Sequence, residues 1–461
     1  MGAINTINDF LWTYIIIAML VACALYFTVR TRFVQIRMFL HMIGLMIHAD
    51  EDNEKVSQKR KKIGSFQAFT VALSSRVGTG NLAGVASAIC VGGPGAVFWM
   101  WVMALLGSAT AFVEATLAQL YKKRGEESFY GGPAYYMQQG LGKKWMGVLF
   151  AVLITLTFGM ANQIVQSNTL CDALADTFEI DKLWIGVMLT ISTFIIIFGG
   201  IHRIANFTSV VVPFMALGYL LVSLFAIAIN IRELPHVIKL IIDSAFGVGP
   251  VVGGGVGTAV MQGVRRGLFS NEAGEGSAPN AAAIADTSHP VKQGLIQALG
   301  VFVDTLLVCS CTAFIILMSG LHDSGADGII LTTRALESEI GHIGRYFITS
   351  AIFLFVFSTF IGNYFYGEVN IRFITKNKWA VFIFRLFTGG VVLLGAFLTL
   401  QESFSIVDLC MGLMTITNLI AIFLLSPKVF KLLKNYDQQR IDKLDPVYKR
   451  EMTDEDVECW E

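Results

Sequence analysis

The sequence predicts an all-α integral membrane protein of about 11 transmembrane helices: one extra N-terminal helix, then two sets of five in inverted orientation, each set containing one discontinuous helix. Three observations carry that prediction. Of 461 residues, 54% are hydrophobic and 15% charged, whereas a soluble domain carries more charge. The apolar residues gather into runs of roughly 17 to 25 residues, the length that spans a bilayer. Two of those runs are interrupted by one shared pattern, S-x-x-x-G-x-G-(Asn/Ser), at Ser74–Leu82 (SSRVGTGNL) and Ser270–Ala278 (SNEAGEGSA), 196 residues apart.

In chain order the apolar runs fall near 11–30, 65–91, 95–120, 146–170, 184–200, 208–230, 250–283, 293–319, 345–367, 380–398 and 402–425. The first lacks a basic leader and a small-residue cleavage site, so it reads as a span and not as a signal peptide. These runs divide the chain into an N-terminal helix with a basic loop (1–64), a first five-helix repeat (65–232), a second, inverted repeat (233–425) and a tail (426–461). The mixed charge of the tail suggests a short solvated helix from Pro427 and a frayed end. With the N-terminus outside, the inward segments hold 25 Lys and Arg and the outward loops four, namely Lys182, Arg232, Lys239 and Arg334. Positive charge near span ends stays cytoplasmic, so the expected setting is a cell membrane, plasma or inner, with the C-terminus in the cytoplasm.

Composition also excludes function classes. A net charge of zero says nothing in itself about nucleic acid but argues against a generally basic surface; membrane lipid is the expected surrounding and no nucleic acid partner is expected. The seven cysteines show no C-x-x-C spacing and read as buried thiols. No H-E-x-x-H or G-x-S-x-G is present, and the glycine run near 249–257 lacks the Lys-Ser/Thr of a phosphate loop, so neither an enzyme nor a bound cofactor is expected.

The duplicated pattern is where chemistry is expected. Unwound backbone at membrane depth is tolerated only where it lines a buried site, and interrupted spans at matching positions of two halves point to a solute site. In the first break Gly78, Thr79, Gly80 and Asn81 offer backbone N–H groups at the start of a half-helix, which favours a carboxylate. A single G-x-G also serves close helix packing, but its duplication favours binding. In the second break Asn271, Gly274, Glu275, Gly276 and Ser277 offer carbonyls and polar side chains for an ammonium group, and Pro279 keeps the helix from closing over them. Gln163 and Gln166 share one helix face, and either binds solute or ties helices together. Charges within spans need partners. Arg76 and Glu272 occupy equivalent places in the two repeats, which suggests an ion pair or gate; Asp304 and Glu114 read as relays or as structural pairs. Trp99 and Trp101 read as packing residues.

GGPGAVFWMWVMALLG (92–107) resembles the signature of the alanine/glycine:cation symporter family, the sodium:alanine symporters. So do ALSSRVGTGNLAGVA (72–86), RRGLFSNEAG (265–274), HPV (289–291), VFVDT (301–305) and FSTFIGNYFYGE (357–368), and the resemblance runs from about residue 12 to 425. It implies the LeuT-type fold, whose first and sixth core helices are discontinuous, and sodium-coupled symport of a small neutral L-amino acid by alternating access. Carried over residue by residue, it implies one Na⁺ near the Asn81 side-chain carbonyl and a second held by Ser358 and Thr359 with the main-chain carbonyls of Ser74 and Val77. Those hydroxyls could equally bond within their own helix. Oxygen-only ligation suits a hard cation. Two residues depart from the family pattern: Glu275, where an apolar residue is common, and Asn363, where Trp is common. Both favour a longer polar substrate, such as glutamine or serine, over alanine or glycine. Glu275 lies either in the pocket or paired with Arg265 or Arg266. The alternatives are proton coupling through Asp304 or Glu114 and, in a different class, an amino acid sensor or channel; a sensor would carry a soluble output domain, and a channel a continuous polar stripe.

Overall fold

Without water to satisfy backbone groups, an apolar chain in lipid closes its hydrogen bonds within helices, and the chain folds accordingly. A computed structural model describes residues 2–47, 63–125, 128–197, 201–247, 255–452 and 457–460. Among them, eight helices are long and apolar enough to cross a membrane: Gly2–Arg30, Gly95–Leu120, Lys144–Phe178, His202–Ile229, Pro290–Met318, His342–Ile374, Lys378–Gly395 and Leu400–Ile441. The other predicted spans take other forms. One is the shorter helix Lys182–Ile197. Two are broken, as the glycine patterns require: Ser65–Arg76 continues as Gly80–Gly92, and Gly255–Asn271 as Ala278–Ala282. The start of the seventh predicted span, and with it most of the 249–257 glycine run, lies outside the described residues.

Gly95–Leu120 is the central post. Gly255–Asn271, Pro290–Val301 and the N-terminal helix all pack on it, while Ser65–Arg76 packs on Ile201–Ile229 and His342–Ile374. Lipid-facing surfaces are apolar, as at Phe214, Leu217, Leu221 and Phe225. Within long helices, π-turns occur at Leu11–Ile16, Thr157–Ala161 and Phe302–Cys309, and another, Gly80–Gly84, opens the half-helix after the first break. Such turns rotate the residues that follow and often sit at functional sites. Here they precede Gln163 and Gln166, contain Asp304 and contain Asn81.

Several elements were not expected. The segments between spans hold helices Phe39–Ile47, Pro133–Gln139, Leu234–Ala245 and Gly328–Ile340 and a small hairpin, Lys123–Arg124 with Phe129–Tyr130. Gly328–Ile340 is started by Asp327, whose Oδ1 accepts from the Gly328 N–H at 2.5 Å. The last helix does not stop near Pro427 but runs to Ile441. Proline leaves the Phe423 carbonyl without its helical donor, and the Ser426 hydroxyl supplies one at 2.8 Å. Nor are the described residues of the tail frayed. Tyr448, Val457 and Trp460 are buried; the Tyr448 N–H donates to Ser288 O (2.9 Å), and Trp460 Nε1 to Gln119 O (3.2 Å). The cysteines are free thiols, with Cys90, Cys410 and Cys459 only partly buried.

Candidate functional site

At the first break the chain leaves the helix at Val77 (φ −78°, ψ 90°), which turns the carbonyls of Ser74 and Val77 away from their usual donors. Both meet the hydroxyl of Thr359, at 2.9 and 3.3 Å, and the Phe355 carbonyl lies 2.8 Å from the same oxygen. A hydroxyl carries one hydrogen. It can donate fully to one of those three carbonyls, so several lone pairs converge with too few protons, an arrangement that a hard cation relieves. Four of the oxygens expected to hold Na⁺ can be compared with this cluster. Ser74, Val77 and Thr359 meet; Ser358 does not, because its hydroxyl donates to Phe355 O (2.9 Å) and faces Met215 Sδ (3.5 Å).

The amides at this break are not free. Gly78 N–H donates to Asn81 Oδ1 at 2.8 Å, and Thr79 N–H to Gln166 Oε1 at 3.2 Å. Asn81 thus reaches back from the first turn of the half-helix to the amide before it, using the carbonyl expected to hold a cation. Gly80 is pressed against the second broken helix, where a Cβ would lie 3.0 Å from Ser270 Cα. Gln166 faces the break, while Gln163 donates to Phe360 O (3.1 Å), which ties two helices together.

Two carboxylates bridge the breaks, in two layers. In one, Asp304 accepts from Asn81 Nδ2 (2.6 Å) on the first broken helix and from Ser270 Oγ (2.8 Å) on the second, with Thr305 Oγ1 at 2.9 Å. In the other, Glu272 has Ser75 Oγ and Ser277 Oγ at 2.5 Å each, and Ser75 Oγ also lies 2.7 Å from Asn363 Oδ1. Glu272 has a left-handed backbone (φ 59°), as do Gly274 (98°) and Gly276 (88°). Gly274 and Gly276 do not face the first break. A Cβ on Gly274 would meet Thr110 and Leu419, and one on Gly276 would meet Phe150, Asn418 and Pro133. Glu114 holds this side, accepting from Gly274 N–H (3.2 Å) and Asn418 Nδ2 (2.9 Å); the Tyr136 hydroxyl donates to Asn418 Oδ1.

The expected Arg76–Glu272 ion pair is not formed. Glu272 is held by serine hydroxyls, while Arg76 donates through Nη1 to the Gln297 carbonyl (3.1 Å). Nor does Glu275 pair with Arg265 or Arg266. Arg265 reaches Asp9 (3.5 Å), and Arg266 reaches Asp408 (2.5 Å) with Phe404 stacked beneath it. Glu275 stays buried among Arg76, Glu272 and Glu114, its Oε2 without a donor. Trp99 and Trp101 are packing residues, with indole N–H groups directed at Ala245 O (3.4 Å) and Ser310 Oγ (2.8 Å). Sequence reasoning missed Ser75, Ser270 and Asn418. The first two stand inside the quoted patterns, and Asn418 is an amide in an apolar span, a signal in itself.

The fold is shared with solved transporters. MhsT in complex with L-phenylalanine superposes with a TM-score of 0.53 at 13% identity over 84% of this chain and 93% of that one. A manganese transporter mutant of Eremococcus coleocola gives 0.53 at 15% identity over 83% and 81%. In sequence, the chain is 48% identical over 456 residues to the probable sodium/glutamine symporter GlnT of Bacillus subtilis (strain 168), covering 98% of this chain and 94% of that one. It is 36% identical over 449 residues to the sodium/alanine symporter AgcS of Methanococcus maripaludis, covering 95% and 97%. The sequence model of one family matches residues 1–450. This multi-pass membrane protein, with its two broken helices held together by buried carboxylates, belongs to the sodium:alanine symporter family.

Proposed function

We propose that this chain is a secondary active transporter that brings a small neutral L-amino acid into the cell together with Na⁺. One observation carries the reading most directly: the carbonyls of Ser74 and Val77 converge on the Thr359 hydroxyl at the first break. Relatives named as sodium/glutamine and sodium/alanine symporters support it. The repeats run over 65–232 and 233–425, and the N-terminus faces outward.

The substrate carboxylate takes the N–H groups of Gly78, Thr79 and Gly80 at the half-helix start, where the dipole favours an anion. To do so it displaces Asn81 Oδ1 and Gln166 Oε1, the present acceptors of two of those groups. The freed Asn81 carbonyl then completes a site for Na⁺ beside the carboxylate, so that substrate and cation stabilise each other's binding. Ser277 and Glu275 lie on the ammonium and side-chain side, with Asn363 across from them. Since Glu272 and Asp304 join the breaks by hydrogen bonds from both, these two carboxylates link cation and substrate binding to movement of one broken helix against the other.

The test is uptake of labelled glutamine, serine, alanine and glycine into vesicles holding the purified protein, with and without an inward Na⁺ gradient at fixed pH, for the native chain and Asn81→Ala. Na⁺-dependent uptake that collapses in the variant is expected. Uptake indifferent to Na⁺ but driven by a proton gradient would overturn the coupling, and no uptake of any of the four would overturn the transporter reading.

A further inference from the structure

Around the Glu272 layer, four buried side chains besides Tyr366, whose hydroxyl is also without a partner, carry polar atoms with no hydrogen-bond partner. These are Nε and Nη2 of Arg76, Oε2 of Glu275, both Oε1 and Nε2 of Gln297, and Nδ2 of Asn363. Each residue is at most 1% exposed. The Asp304 layer contrasts with it, since both oxygens of Asp304 accept side-chain hydrogen bonds. Buried donors and acceptors are almost always satisfied, so a cluster of unsatisfied ones marks a place that water or a polar ligand fills.

The four belong to one neighbourhood. Arg76 donates to the Gln297 main chain at 3.1 Å. Asn363 is joined through Ser75 Oγ (2.7 Å) to Glu272 (2.5 Å), and Glu272 and Arg76 both act electrostatically on Glu275. The cluster adjoins the cation site without sharing its oxygens: Asn363 stands one turn beyond Thr359 on the same helix, and Arg76 lies between Ser74 and Val77 in sequence.

The mixture of atoms specifies the ligand. Arg76 Nε and Nη2 form one edge of a guanidinium fork, whose two N–H groups take acceptor oxygens, and Asn363 Nδ2 is a further donor. Glu275 Oε2 requires a hydrogen-bond donor. A carboxamide supplies both, with one oxygen that accepts and an NH₂ that donates twice. A carboxylate side chain of the same length has no N–H to offer the Glu275 oxygen, and a methyl side chain satisfies none of the four.

Resting on the symport reading above, we propose that Arg76, Glu275, Gln297 and Asn363 form a side-chain subsite that selects the carboxamide of glutamine over the side chains of alanine and glutamate. Discrimination by buried polar groups is strong, because a substrate lacking the matching group leaves them unpaired.

The experiment measures kcat/KM for Na⁺-driven uptake of glutamine, alanine and glutamate in vesicles, for the native chain, Glu275→Met, Arg76→Lys and Asn363→Leu. Thermal stability of each purified protein, with and without glutamine, is followed in parallel. The native chain is expected to prefer glutamine over both competitors and to be stabilised by it. Each variant is expected to lower the glutamine-to-alanine ratio at least tenfold, and Glu275→Met to narrow the rejection of glutamate as well. An equal fall for glutamine and alanine in all three variants would overturn the subsite and mark the cluster as structural. A changed Na⁺ requirement at an unchanged substrate ratio would overturn it in favour of a cation site. Na⁺-driven uptake in the native chain without a glutamine preference would sink the subsite alone, whereas no Na⁺-driven uptake of any substrate would sink the symport reading beneath it.

Discussion

Thr359 and Ser358 are adjacent hydroxyl residues in the same apolar helix, and the structure separates them. Thr359 reaches across to the first break, while Ser358 bonds back to its own helix and Met215. Thr359→Ala should therefore raise the Na⁺ concentration for half-maximal uptake at least tenfold, about 1.4 kcal/mol, with Ser358→Ala shifting it far less. Na⁺ activation curves of the two variants check this, and equal shifts would remove Thr359 from the cation site. A second residue-scale expectation concerns pH. His289 Nδ1 accepts from the Val291 N–H at 3.2 Å, so the ring is neutral with its hydrogen on Nε2, facing Asn435. Burial, with Lys292 nearby, lowers its pKa from 6.5 to about 4; His41, against Tyr436 with Arg440, Lys292 and Asp437 around it, is likewise lowered to about 4. The unfolded chain takes up these protons near 6.5 and the folded chain only near 4. Their contribution to stability is thus complete above about 6.5 and is lost as pH falls toward 4. Amide protection in 285–292, taken relative to the intrinsic exchange rate at each pH, should fall between pH 7 and pH 5, and His289→Gln should flatten that dependence.

At the scale of elements, the two breaks look alike in sequence and are built differently. In the second, glycines are needed for backbone conformation, since Gly274 and Gly276 have φ of 98° and 88°. In the first they are needed for space: a Cβ on Gly78 would sit 2.6 Å from Thr359 Oγ1. The duplicated S-x-x-x-G-x-G therefore foretold where both helices open, but the pattern holds no information on which glycine serves which purpose. Two substitutions separate them. Gly274→Ala should cost about 1–2 kcal/mol of stability from the left-handed backbone alone, read as a lowered melting temperature. Gly78→Ala should disturb Thr359 and weaken Na⁺ activation out of proportion to any loss of stability. Parallel losses in both variants would refute the distinction. The same reasoning explains which parts of the site were legible. The break residues stood in a local pattern, whereas the failure of Arg76 to meet Glu272 depended on Ser75 and Ser277 reaching that carboxylate first, a matter of side-chain geometry across elements.

For the whole molecule, hydropathy sufficed to place the eight helices long enough to cross a membrane, because lipid imposes one solution on an apolar chain. It failed where amphipathic segments and the tail make their own contacts, since burial against protein leaves no run of apolar residues to read. The tail shows the consequence. Trp460 lies with its indole over Lys122 Nζ (4.6 Å to the ring centroid) and against Tyr448, and it donates to the Gln119 carbonyl at 3.2 Å. Lys122 in turn donates to Ala285 O (2.9 Å), just beyond the half-helix Ala278–Ala282 of the second break, and Lys292 pairs with Asp445 (2.7 Å). The tail thus crosses from the central helix to the segment that carries one side of the site. Removing a buried tryptophan typically costs 3–5 kcal/mol in a core, but a terminal segment can open locally without unfolding the rest. Trp460→Ala should therefore leave the global melting temperature within a few degrees of native while exchange protection falls in 119–125 and 283–292. Protection unchanged in 283–292 would mean that the tail is anchored to the central helix alone and that its path past the second broken helix carries no mechanical link.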